Sequence, residues 1–318
     1  MARKLILSID GGGIRGIIPT MALVKLEETT GRPARETFSF VAGTSTGALI
    51  AATVAAGLPA TRILDIYLKR TREIFSPGAP WNSMKRAATG SMYSTRTLYR
   101  VLAGELGAAA HWTLNDSPID LLLTAKCLAD GKPWYFVRDN PRNSRRTGKL
   151  GLVDCATASA AAPTYFQPWT VAGPGELVDG GIGVTGNPVY QACVEAFYYT
   201  PGYLPRETTV VSFGTGRTIS EPHPHNVLSW LTWVLDEMLR SPEEQQTELV
   251  KRHFPEIAFH RMEPDLEVDI AMDDTGSIDR LRQIGETFAR GIDWPGILNG
   301  PGPSTKSAGH VSDPCSIH

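Results

Sequence analysis

An apolar run from Phe38 to Ala42 leads into Gly43-Thr44-Ser45-Thr46-Gly47, and small residues follow from Ala48 to Gly57. No other stretch constrains the chain as much, because its order dictates a strand, a reversal within a few residues, and a helix. A G-x-S-x-G turn of this kind lifts a hydroxyl above the carboxyl edge of a sheet, at a helix N-terminus. Gly43 and Gly47 flank the serine because a Cβ on either side would crowd so short a reversal. The helix start offers unpaired N–H groups and partial positive charge, which favour the alkoxide and oxyanion of acyl transfer. Ser45 is therefore the candidate nucleophile. The plainer reading is a helix N-cap at Thr44 or Ser45.

Two further glycine motifs have similar surroundings. Leu5-Ile6-Leu7-Ser8-Ile9 leads into Asp10-Gly11-Gly12-Gly13-Ile14-Arg15-Gly16, and a helical pattern follows with Ile17, Met21, Val24 and Leu26 as candidate apolar positions. Consecutive glycines after a strand form a nest of backbone N–H groups that binds anions. Gly11, Gly13 and Gly16 also satisfy G-x-G-x-x-G, a dinucleotide fingerprint that is weak when it stands alone. No P-loop string occurs. The third motif, Leu177-Val178-Asp179-Gly180-Gly181, delivers an aspartate to two glycines. Alone it reads as a plain D-G turn.

In this order, Asp10 to Gly16, the turn at Ser45 and Asp179-Gly180-Gly181 resemble the patatin-like phospholipases. The likeness continues in Ala158–Phe166, Val211–Gly216, Phe259–Pro264 and Met272–Asp274, and spans about Lys4 to Ala289. It implies lipid acyl-ester hydrolysis by a serine–aspartate dyad without histidine. Carried over, Ser45 is the nucleophile, Asp179 the base, and the amides of Gly11, Gly12 and Gly13 the oxyanion hole. Asp10, Arg15, Gly16, Gly43, Gly47, Gly180 and Gly181 support them, with Arg15 placed to orient the loop or contact a phosphate. The chemistry agrees: a serine hydroxyl needs a neighbouring base, and a partly desolvated carboxylate has its pKa raised toward the working range. The implied partner is a membrane phospholipid or another acyl lipid, met through transient contact with a membrane surface.

Strands are expected at Lys4–Asp10, Phe38–Gly43, Asp120–Cys127, Trp134–Arg138, Glu176–Asp179 and Thr209–Phe213. Helices are expected at Pro19–Glu28, Thr46–Ala56, Ala60–Ile74, Arg96–Leu106, Cys155–Ala161, Pro188–Tyr198, Val227–Leu239, Pro242–His253 and Ser277–Ala289. The alternation predicts an α/β fold, a three-layer α/β/α sandwich with a largely parallel central sheet. Residues 1–298 form the catalytic domain, and the Gly-, Pro- and Ser-rich residues 299–318 a flexible tail. Phe75–Tyr93 reads as an amphipathic lip or as an ordinary surface loop. Val227–Leu239 reads as buried core or as the wall of an acyl pocket.

Net charge is −2 and the isoelectric point is near 6.4, so no bulk attraction to nucleic acid or acidic lipid is expected and any membrane contact is local. Cys127, Cys155, Cys193 and Cys315 form no C-x-x-C, and the first three read as buried thiols of a reducing compartment. No signal peptide precedes Leu5, which suggests a cytoplasmic protein, peripheral at most to a membrane. No calcium-loop or zinc spacing is present, and no metal or cofactor is expected. Two alternatives stay open: a Ser-His-Asp hydrolase, with His225 the one histidine placed to serve, and a nucleotide-binding module built on Gly11, Gly13 and Gly16.

Overall fold

The computed structural model describes residues 3–76, 91–143, 147–183, 185–218 and 244–299. The strands are β1 (Lys4–Ile9), β2 (Phe40–Gly43), β3 (Asp120–Cys127), β4 (Pro133–Val137), β5 (Trp169–Val171), β6 (Gly175–Asp179), β7 (Thr208–Phe213), β8 (Arg217–Thr218), β9 (Ala258–Met262) and β10 (Asp265–Leu266). Eight of them form one sheet in the order β5-β6-β3-β2-β1-β7-β9, with β4 on β3, while β8 and β10 pair separately. β3, β2, β1, β7 and β9 run parallel. β4, β5 and β6 add the antiparallel pairs. The middle strands β2 and β7 are buried at every position, as strands covered on both faces must be.

The principal helices are α1 (Ile17–Thr30), α2 (Thr46–Ala56), α3 (Ala60–Ile74), α4 (Thr95–Leu106), α5 (Leu152–Ser159), α6 (Val189–Val194), α7 (residues 244–253) and α8 (Ile278–Arg290), with short ones at Ala34–Thr37 and Trp294–Asn299. One core joins Leu7, Ile9 and Leu121 of the sheet to Ile18, Ile50, Ile63, Ala156 and Leu281 of α1, α2, α3, α5 and α8. The opposite face joins Ile6, Phe40 and Val210 to Ala192 of α6 and Val250 of α7. The chain is thus an α/β/α sandwich. α2 is buried almost all round, and its Ala-rich sequence lets it lie close to the sheet. α3 buries Ile63, Tyr67, Thr71 and Ile74 along one face, the expected amphipathic spacing.

Most expected elements form within a few residues of their sequence limits. β5 and β9 were not expected as strands, and the helix expected over Pro188–Tyr198 turns into a π-helical stretch at Glu195–Tyr199. Val227–Leu239, His225, Cys315, most of the Phe75–Tyr93 lip and nearly all of the 299–318 tail lie outside the described residues. Cys127, Cys155 and Cys193 are buried free thiols. No helix among the described residues is long and apolar enough to cross a membrane.

Register brings two chain ends together. β2 climbs one edge of β3 and stops with Gly43 opposite Leu123. β6 descends the same edge and stops with Asp179 opposite Ala125. β4 occupies the other edge. The carboxyl ends of β2 and β6 therefore face each other head-on, with only Thr124 of β3 between them.

Candidate active site

Ser45 follows β2 and caps α2 with φ 56° and ψ −124°, a conformation that non-glycine residues rarely hold. The turn is closed by Gly47 N–H donating to Thr44 O at 2.8 Å and Thr44 N–H to Ile9 O at 3.2 Å. A Cβ on Gly43 would overlap the Gly47 carbonyl, and one on Gly47 would overlap the Ile9 carbonyl, so both flanking glycines are required by close approach. Ser45 N–H donates to Ser159 Oγ at 3.0 Å, which ties the turn to the end of α5.

Asp179 is 4% exposed. Its carboxylate accepts the Gly181 N–H at 2.8 Å and lies near enough to the Ser45 hydroxyl to be influenced by it. Burial pushes its pKa up to about 6, against the lowering effects of the Ser45 hydroxyl and the Gly181 N–H. Three threonines knit the two chain ends together. Thr44 donates its hydroxyl to Thr185 O at 2.5 Å and lies 2.7 Å from the Thr124 hydroxyl, which therefore donates to it. Thr185 donates in turn to Gly180 O. Gly180 lies flat against Thr124, where a Cβ would overlap it.

The glycine loop after β1 packs beside the serine. Gly11 N–H is taken by Gly186 O at 3.0 Å. The expectation of three oxyanion amides is therefore corrected: Gly11 is spent on joining its loop to the Asp179 loop. Gly12 and Gly13 N–H meet no backbone acceptor among the described residues. A Cβ on Gly12 (φ 154°) would strike Thr215, whose hydroxyl donates to Gly11 O at 2.6 Å. Arg15 Nε donates to Gly12 O at 3.4 Å, so its described contact braces the loop. Gly13 and Gly16 are filled on their Cβ sides by Met272 and Tyr67. A dinucleotide site would need these glycine faces open to a pyrophosphate.

Asp10, 1% exposed, meets Arg261 Nη2 of β9 at 2.7 Å. Arg261 also donates to Glu263 at 2.9 Å and to Ser212 Oγ at 3.0 Å. Burial raises the Asp10 pKa to about 7, while Arg261 opposes the shift.

The described histidines stand apart from this constellation. His111 is exposed, His253 shares a 2.9 Å hydrogen bond with the Tyr190 hydroxyl, and His260 sits on β9, held low by burial and then by Arg3. None is among the groups that shift Asp179. No group of three or more His, Cys, Asp or Glu among the described residues is placed to hold a metal ion.

An apolar cavity starts at Ser45 and Gly13 and runs between α2, α3 and α4. Thr46, Leu49, Ile50 and Thr53 line it from one face of α2, Ile63 and Tyr67 from α3, and Leu98, Val101 and Leu102 from α4. Ser45 to Thr53 spans eight helical steps, about 12 Å. Neither this slot nor Thr124 and Thr185 was singled out in the sequence, and Ser159, Thr215 and Arg261 fell within stretches of family likeness but were given no role; only the pairing of distant strands brings them to Ser45.

The family model for patatin-like phospholipase matches residues 7–192, more than half of the chain. A cGAMP-activated phospholipase of Vibrio cholerae serotype O1 is 30% identical over 206 residues, which cover 60% of this chain and 57% of that protein. Calcium-independent phospholipase A2-gamma of Oryctolagus cuniculus is 26% identical over 298 residues, 89% of this chain and 37% of that protein. The chain thus matches well under two thirds of the length of these relatives. The crystal structure of VipD from Legionella pneumophila aligns with a TM-score of 0.49 and 14% identity over 95% of this chain and 68% of that one. With the family model covering the β1 loop, the Ser45 turn and the Asp179 loop, the chain belongs to the patatin-like phospholipase family.

Proposed function

We propose that the chain is a lipid acyl hydrolase working through a Ser45–Asp179 dyad. One observation carries this reading: the Ser45 hydroxyl stands at the head of an apolar slot, close enough to the buried Asp179 carboxylate to lower its pKa. An acyl chain lying in the slot puts its ester carbonyl beside Ser45. Ser45 Oγ attacks the carbonyl carbon and Asp179 takes its proton. The oxyanion turns toward the amides of Gly12 and Gly13 in the loop that opens α1. The tetrahedral adduct collapses, and Asp179 returns the proton to the leaving alkoxide. Water, deprotonated by Asp179, then attacks the acyl-enzyme, and Asp179 returns the proton to Ser45 Oγ as the fatty acid leaves. Bond making, proton transfer and charge stabilisation are all supplied by side chains and backbone, so activity is expected to survive chelation.

The test combines covalent labelling with a lipid panel. A fluorophosphonate should label the folded protein once, at Ser45, and Ser45→Ala should abolish labelling and hydrolysis. Phospholipids, galactolipids and neutral glycerides are offered with and without cGAMP, because the Vibrio relative is named for that activator. Labelling at another serine, or hydrolysis by Ser45→Ala, overturns the assignment.

A further inference from the structure

α4 is one wall of the slot, and its two faces differ in kind. Leu98, Val101 and Leu102 face the cavity, while Arg96 and Arg100, one turn apart, are exposed on the outside. On α3, Arg62 and Arg70 both bind Glu105. Arg100 reaches only neutral acceptors, Arg96 O and Thr97 Oγ1, and neither Arg96 nor Arg100 meets a carboxylate among the described residues. Between them lies an aromatic shelf: Tyr99 stacks on Trp169 with ring centres 5.0 Å apart and planes at 23°. The neighbouring acid, Asp154, is occupied by the Trp169 indole N–H at 3.0 Å.

This surface continues into the rim of the slot. Met92 N–H donates to Thr164 O at 2.9 Å and Tyr93 N–H to Tyr165 O at 2.7 Å, so the approach to α4 is laced to the segment that carries Tyr165 and Phe166 of the cavity. Met92 is 42% exposed. Thr164 holds φ 71°, backbone strain of the kind found at binding edges. In a chain with 33 acidic residues, neither segment 91–100 nor segment 160–175 contains any Asp or Glu. Unpaired guanidinium groups, an indole and a phenol at half-burial, and an exposed thioether beside an apolar slot match the layers of a charged bilayer surface.

We infer that this rim docks onto an anionic lipid bilayer, with Arg96 and Arg100 on the headgroups, Tyr99 and Trp169 at their level, and Met92 entering the acyl boundary. The occupant follows from charge complementarity and from continuity with the slot, and in that respect the inference rests on the acyl-hydrolase reading. Its test does not, because binding is measured on the Ser45→Ala chain without turnover. Vesicles of phosphatidylcholine alone and of phosphatidylcholine with phosphatidylglycerol are sedimented with the protein at low and high salt. The protein should favour the anionic vesicles, and salt should erase the preference. Arg96→Glu with Arg100→Glu should weaken anionic-vesicle binding tenfold or more, Arg96→Lys with Arg100→Lys should retain most of it, and Met92→Ser should weaken binding to both vesicles. In the Ser45-intact chain the double Glu variant should hydrolyse a monomeric short-chain ester as the parent does, which shows that it is folded. Undiminished binding by the double Glu variant, or indifference to phosphatidylglycerol, overturns the inference. So does charge-dependent binding to duplex DNA in place of vesicles. Failure of the hydrolase reading would appear separately, as absent ester hydrolysis in the Ser45-intact chain.

Discussion

The base role proposed for Asp179 needs it both buried and ionised, and the two demands conflict. Its folded pKa of about 6 lies above the unfolded value of 3.8. Between those values the native state holds more protons than the unfolded chain, so stability falls as pH rises through about 6 and then levels off. As the proposed base, Asp179 must be ionised, so kcat/KM should fall below about pH 6 and this limb should persist in His253→Ala and His260→Ala. Asp179→Asn should then be inactive yet more stable at pH 8, by up to about 3 kcal/mol, with the gain shrinking toward pH 4. Thermal unfolding at both pH values checks the sign, and a less stable variant at pH 8 would contradict it. Arg261 presents the reverse case. Arg261→Gln leaves Asp10 buried without its cation, so Asp10 should take up a proton and the stability lost in denaturant unfolding should grow as pH rises above about 7. The turns that carry Ser45 and Asp179 were legible in the sequence because their glycine constraints are local. Arg261 was not, because its meaning depends on Asp10, far away in the chain.

The central event between elements is the head-on meeting of β2 and β6 on one edge of β3. The sequence alternation correctly implied a mostly parallel sheet and put each motif at a strand's carboxyl end. It carried no sign that β6 is antiparallel to β3, because direction is set by pairing and not by hydrophobic pattern. β5 is three residues long and β9 has no fully buried position, so neither shows the period that marks a strand. Thr124, between the two ends, looks like any β-branched residue in an apolar run. Thr44→Val tests whether the threonine bridge fixes the dyad. It keeps the shape but leaves Thr185 O and the Thr124 hydroxyl without their partner, at a cost of about 1–3 kcal/mol for a buried unpaired group. Turnover should fall with KM little changed, since the slot is untouched. A loss of stability with unchanged kcat would mean that the bridge holds only the fold.

At the scale of the whole molecule, the sheet sets Ser45 and Asp179 at one end of α2, and three helices extend that point into a slot. The slot was not legible in the sequence, where Val227–Leu239 was the candidate for an acyl wall, because α2, α3 and α4 each read as ordinary core-facing helices. Its length makes a forecast about substrates. Thr53 lies about 12 Å along α2 from Ser45 and turns its hydroxyl back to Leu49 O and Ile50 O. Its methyl group is therefore free to face the cavity that it lines. Thr53→Phe should block the far end without touching the chemistry. A long acyl chain would then lose the burial of about two methylenes or more, worth about 0.8 kcal/mol each, which is about tenfold in kcat/KM. A butyrate ester, too short to reach Thr53, should be hydrolysed within about threefold of the parent rate. Thr53→Val, nearly equal in volume, should leave both substrates unchanged. If Thr53→Phe slows both esters alike, the residue acts on the fold and not on chain length. If it slows neither, the acyl chain does not occupy this slot, and the route of the substrate to Ser45 must lie elsewhere.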